Sequence, residues 1–147
     1  MRSFAFHDSW VLAAPPERVH AVLTDLEHYP DWWPQVVAVA KIDDDTARVL
    51  CRSTLPYTLD LVLGAVHRRP DLLQTTIDGD LVGTVSWRLS EVAGSTRLDF
   101  RQDVVVGRPL LHWVAGPLRP VLAWNHQRMM AGCVGGLRAR LAQDSSV

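Results

Sequence analysis

Between Val36 and Val106 the chain alternates apolar and polar residues in short segments divided by turn-forming clusters, and no feature constrains the fold more. Strand-like segments fall at 36–42, 46–54, 58–68, 72–78, 82–90 and 95–106. Loop formers separate them at Asp43-Asp44-Asp45, Pro56, Pro70-Asp71, Asp78-Gly79-Asp80 and Ala93-Gly94-Ser95. Parallel neighbours would need crossovers of about a dozen residues, so links this short predict an antiparallel meander. A further strand over 4–13, with Phe4, Phe6, Trp10 and Leu12 at even spacing, brings the total to seven.

Alternation also assigns faces. In 58–68, Leu59, Leu61, Leu63, Ala65 and His67 share one side, opposite Thr58, Asp60 and Arg68. In 95–106, Leu98, Phe100, Gln102 and Val104 oppose Arg97, Asp99, Arg101 and Asp103. One face is covered and the other is wet, so Asp60 is expected in solvent.

The rest of the chain is helical in pattern. Pro15 and Pro16 open a short helix carrying Val19, Val22, Leu23 and Leu26, and a second short turn is expected around 28–33, closed by Pro34. After Pro109 the pattern is helical again, with a break at Gly116-Pro117 and a longer helix from there to about Gln143. A helix of roughly 25 residues spans about 38 Å, enough to cross the sheet and cover it. Leu118, Leu122, Asn125, Met129, Cys133 and Gly136 fall on its inward stripe, and Gly132, Gly135 and Gly136 are expected to let it approach the sheet closely. The predicted class is α+β, with all 147 residues in one domain.

Composition excludes several functions. A net charge of −1, from 15 basic and 16 acidic residues, leaves no electrostatic footprint for nucleic acid. Cys51 and Cys133 lack the paired spacing of a zinc or redox site, so buried, reduced thiols and a cytoplasmic location are expected. His7 and Asp8 interrupt the first apolar run, which argues against a signal peptide or membrane span there. No nucleophile elbow, zinc-protease helix or phosphate loop is present, and neither a metal nor a cofactor is expected. Asp43-Asp44-Asp45 lacks the alternating ligands and closing Glu of a calcium loop and reads as a hairpin tip.

Strand, two small helices, six-strand meander and long closing helix together resemble the helix-grip fold of the START-like, polyketide cyclase/dehydrase superfamily. The words Ala14-Pro15-Pro16-Glu17-Arg18-Val19, Leu23-Thr24-Asp25 and Tyr29-Pro30-Asp31-Trp32-Trp33-Pro34 resemble its N-terminal signature. Gly94-Ser95-Thr96-Arg97-Leu98 and Asn125-His126-Gln127-Arg128-Met129-Met130 add to the likeness. The resemblance implies a cavity between sheet and long helix that holds a hydrophobic small molecule, and it implies no single chemistry.

The expected lining of that cavity is Trp33, Tyr57, Leu59, Leu61, Leu63, His67, Trp87, Phe100, Gln102, Leu118, Leu122, Asn125 and Met129. Six tryptophans either fill the core or, in part, line a pocket for a flat apolar ligand. Of the adjacent Trp32 and Trp33, one is expected in the core and the other, Trp33, at the cavity mouth. His67 is either a general acid or base or, as favoured here, a strand-end histidine at the rim. Gln102 and Asn125 would fix a ligand oxygen or satisfy a backbone group.

The leading reading is a binder or carrier of a lipid, polyketide or isoprenoid-like molecule. A cyclase or aromatase in which His67, Gln102, Tyr57 or Asn125 polarises a carbonyl is the alternative. A quinone-binding carrier comes third, suggested by the segment 29–34, with no basic amphipathic helix to hold it on a membrane and no stable membrane insertion expected.

Overall fold

In the computed structural model, which describes residues 3–52, 58–106 and 119–145, the alternating segments become seven strands. They are β1 (Ser3–Leu12), β2 (Val36–Lys41), β3 (Thr46–Arg52), β4 (Thr58–Arg69), β5 (Leu72–Gly79), β6 (Leu81–Val92) and β7 (Ser95–Val106). Helix α1 (Pro16–Thr24) and a 3₁₀ helix (Leu26–Asp31) follow β1, and α2 (Arg119–Ser145) ends the described chain. All pairs are antiparallel, in the order β1-β7-β6-β5-β4-β3-β2. The meander thus runs across the sheet, and β1 closes its far side by pairing with the last strand.

Local chemistry sets the joints. Between β6 and β7, Val92 pairs with Ser95 across a two-residue loop in which Ala93 (φ 51°) and Gly94 (φ 83°) are both left-handed. That is the turn whose twist matches a hairpin, and it needs a residue such as glycine that tolerates positive φ. Proline opens α1, where the missing N–H costs nothing, and Val19, Val22 and Leu23 are its buried face. The second turn begins at Leu26 rather than His28, so Leu26 belongs to the 3₁₀ helix and Pro30 lies inside it.

Strand register bears out the alternation for Leu59 and Leu61, which are buried, while Asp60 meets Arg48 on the opposite, convex face. At the end of β4 the expectation fails. The register shifts between Ala65 and His67, so His67 pairs with Gln74 and Arg68 with Leu73, and His67 is exposed rather than covered. Such bulges add an unpaired residue and bend the strand, and a second one between Val36 and Ala38 adds to the curvature.

Helix α2 lies in the concavity on a stripe slightly rotated from the expected one. Among its described side chains Asn125, His126, Met130, Cys133, Leu137 and Leu141 are buried, with Met129 partly buried. Gly132 and Gly136 do permit close approach, but to the segment after the 3₁₀ helix rather than to the sheet. A Cβ on Gly136 would collide with the Trp32 carbonyl oxygen, and one on Gly132 would collide with Gln35 Oε1. Gly135 meets nothing within 4 Å and has no such role. Arg18 Nη2 donates to the Leu141 carbonyl at 2.6 Å, which ties the end of α2 to α1. Among the described residues no helix is long and apolar enough to cross a membrane.

Candidate functional site

The concave side of the sheet is solid at one end and hollow at the other. At the solid end Leu12, Val19, Leu98 and Leu137 are fully buried, with Cys133 and Leu141 beside them. Beneath Asn125, His126, Met129 and Met130 of α2 lies a cavity of about 430 Å³. Its walls are Phe4, Phe6, Trp33, Val49, Cys51, Leu59, Leu61, Leu63, Ile77, Val85, Trp87, Phe100, Val104, Met129 and Met130. That volume falls in the range of ordinary small-molecule sites, which are mostly apolar with a few placed polar groups.

Trp33, Leu59, Leu61, Leu63, His67, Trp87, Phe100, Gln102, Asn125 and Met129 all line this space, as expected from the sequence. Tyr57 and Leu118 lie outside the described residues, as do Pro56 and the Gly116-Pro117 break, and Leu122 lies in α2. Trp33 is a wall rather than a mouth residue. Both Trp32 and Trp33 are buried, stacked at 5.8 Å, because the chain here leaves a 3₁₀ helix instead of alternating like a strand. The Trp33 indole donates to the Met129 carbonyl at 3.0 Å, fixing the cavity wall to α2.

Polar groups join these walls. Asp25, Glu27, Lys41, Asp43, Asp44, Asp45, His67 and Arg68 form the charged outer part of the lining. Several are paired with each other there: Arg68 with Asp45 at 2.8 Å, and Lys41 with Asp44 at 3.5 Å. Asp43 accepts the Asp45 backbone N–H at 2.9 Å, which holds the hairpin tip and pulls the Asp43 carboxyl below its ordinary value.

Gln102, Asn125 and His126 also line the cavity. The His126 ring stacks on Phe6 at 3.8 Å and on Phe100 at 5.8 Å, and its Nε2 lies 3.3 Å from Asp8 Oδ2. Gln102 is the cross-strand partner of Phe6, so it flanks the same stack. Burial holds the imidazole below its ordinary value of 6.5 against the hydrogen bond and charge of Asp8, which pull the other way. Burial likewise pushes the Cys51 thiol up to about 12, and both cysteines are free and buried.

His126 and Asp8 are absent from the expected lining, although the sequence carries a signal for each. Asp8 has the parity of Phe4, Phe6, Trp10 and Leu12, so it is a carboxylate on an apolar face. His126 precedes Met130, Cys133 and Leu137 at helical spacing, on the stripe that is in fact buried.

A curved antiparallel sheet gripping one long helix, with a ligand-sized apolar cavity between them, defines a helix-grip protein. The family profile described as polyketide cyclase / dehydrase and lipid transport matches residues 3–142, and the chain belongs to that family. No curated protein matches the chain. Among solved structures, a START superfamily protein from Mycobacterium smegmatis is similar at 19% identity and TM-score 0.76, covering 95% of this chain and 97% of that one. Zhui aromatase/cyclase from Streptomyces sp. R1128 is similar at 14% identity and TM-score 0.80, with 97% and 95% covered. A protein from Thermus thermophilus is similar at 16% identity and TM-score 0.79, with 97% and 99% covered.

Proposed function

We propose that the chain binds a predominantly apolar, flat small molecule between the concave sheet and the N-terminal half of α2. The hollow of about 430 Å³, walled by aromatic and aliphatic side chains next to a solidly packed end, carries this reading. Apolar walls supply affinity by removing ligand surface from water, at roughly 25 cal/mol per Å² before ordering costs. Membership of a family described by polyketide cyclases and lipid transport agrees with a cavity ligand. Extraction of the purified protein and mass spectrometry would identify a co-purifying molecule. Titration with a fluorescent apolar probe supplies the independent check, and a probe that neither brightens nor raises the melting temperature would sink the reading.

A second reading is an aromatase or cyclase. Its support is the presence of Gln102, Asn125 and His126 on the cavity lining, while His67 stands apart at the charged rim. Positioned acid–base groups contribute roughly a hundred- to ten-thousand-fold to a rate. A linear poly-β-ketone thioester mimic incubated with the protein should then give aromatic product faster than buffer does, and equal rates would dismiss catalysis.

A further inference from the structure

A second recess, of about 210 Å³, lies between α1, the 3₁₀ helix and the C-terminal half of α2, and shares only Asp25 with the lining of the apolar cavity. Arg18 and Arg140 both line it and are partly buried. Arg18 Nη2 donates to the carbonyl of Leu141, the residue that follows Arg140, which holds its guanidinium at that turn of α2 and leaves its other N–H groups to serve elsewhere. The Arg140 side chain makes no hydrogen bond or ion pair among the described residues. Asp25, the carboxylate on this lining, is engaged by His28 Nδ1 at 2.8 Å instead of by either arginine. Two like charges therefore line one recess without a counter-charge of their own, an arrangement that repels until an anion joins it. Val22 and Trp32 are the buried apolar part of the lining and strengthen that electrostatic demand by excluding water. A third positive charge enters as the pH falls, that of His28, favoured by Asp25 and Asp31 and opposed by Arg140.

We propose that this recess is an oxyanion site for a phosphate group, free or carried on a small phosphate monoester, with Arg18 and Arg140 as its two guanidinium ligands. A guanidinium fork matches two phosphate oxygens at once, and a phosphate has oxygens enough for two forks, whereas one fork already uses both oxygens of a carboxylate. The recess has about half the volume of the apolar cavity, which leaves space for a small organic body beside Val22 and Trp32. The site is independent of what the apolar cavity holds.

Inorganic phosphate, titrated into the whole chain at constant ionic strength and one fixed pH, tests this through backbone amide shifts. Saturating shifts should appear at residues 18–28 and 138–141 while Leu59 and Phe100 on the cavity wall stay still. Shifts that rise without saturation, as with chloride, overturn the proposal. Arg140→Gln removes a side chain with no bond to lose, so the variant should unfold in urea as the wild type does and bind phosphate about tenfold more weakly. Unchanged affinity overturns the proposal. Should that variant lose its fold, the wild-type protein decides through acetate, which should bind far more weakly than phosphate, and equal affinity overturns the proposal. Glycerol 3-phosphate names the source: tighter binding than inorganic phosphate supports the site as one for an ester, and equal or weaker binding supports it as one for the free ion.

Discussion

Met129 and His126 lie one turn apart on α2, yet their burial asks for different experiments. Met129 is only partly buried and borders the cavity, so Met129→Trp should fill part of the void. Probe affinity should then fall while the protein remains folded. Strong probe binding together with a stability loss of about 1–3 kcal/mol would instead mark Met129 as core. His126 reports through pH. Its pKa is held low in the native state, so below about pH 6.5 the unfolded chain takes up a proton that the folded one resists. Stability present above that pH is therefore lost as the pH falls, by at most about 1.4 kcal/mol per pH unit for this group. His28 works in the opposite sense, since Asp25 raises its pKa and its contribution disappears as the pH rises. Urea unfolding of wild type and His126→Phe between about pH 5 and 7 should show the flatter profile in the variant. Parallel profiles would mean that the ring titrates alike in both states.

Glycines separate the anchored part of α2 from the rest. The Gly136 Cα sits against the Trp32 carbonyl, a backbone atom that cannot swing aside, so Gly136→Ala must push the helix from its seat. A loss of about 1–3 kcal/mol or more is expected in urea unfolding. Gly135→Ala points into open space and should stabilise by up to about 1 kcal/mol through helix propensity. Equal effects of the two would contradict the docking of α2 on the 32–35 segment. The same segment supplies Trp33, whose indole holds the Met129 carbonyl, so one short stretch seats the helix and shapes the cavity wall.

Across the molecule, packing divides the concave face between the dense end around Leu12, Leu98 and Leu137 and the hollow one beneath Asn125, His126 and Met129. Amide exchange should follow this division. Without ligand, amides of residues 125–129 should open more readily than those of 133–141, and saturation with an apolar probe should narrow the difference. At a hundred times its dissociation constant, a ligand that binds only the folded state adds about 2.7 kcal/mol of stability. Uniform protection along α2, unaffected by probe, would count against a hollow end.

Strand number, antiparallel order, the covered parity of Leu59, Leu61, Phe100 and Gln102, and the closing helix were all legible in the sequence. Each follows from period, turn chemistry and link length, which are local properties. The cavity between sheet and helix was instead implied by the likeness of residues 13–34 to the helix-grip signature. Only tertiary structure decided the rest. The register shift at Val66 left His67 exposed at the cavity rim, because pairing there depends on the partner strand. The 3₁₀ turn put Trp32 and Trp33 on one side, where strand logic separates neighbours. Above all, Asp8 and His126 are 118 residues apart, and the signal each carries does not point to the other. Their pairing exists because β1 closes the sheet beside β7 and α2 lies over both, a juxtaposition set by packing that no local period encodes.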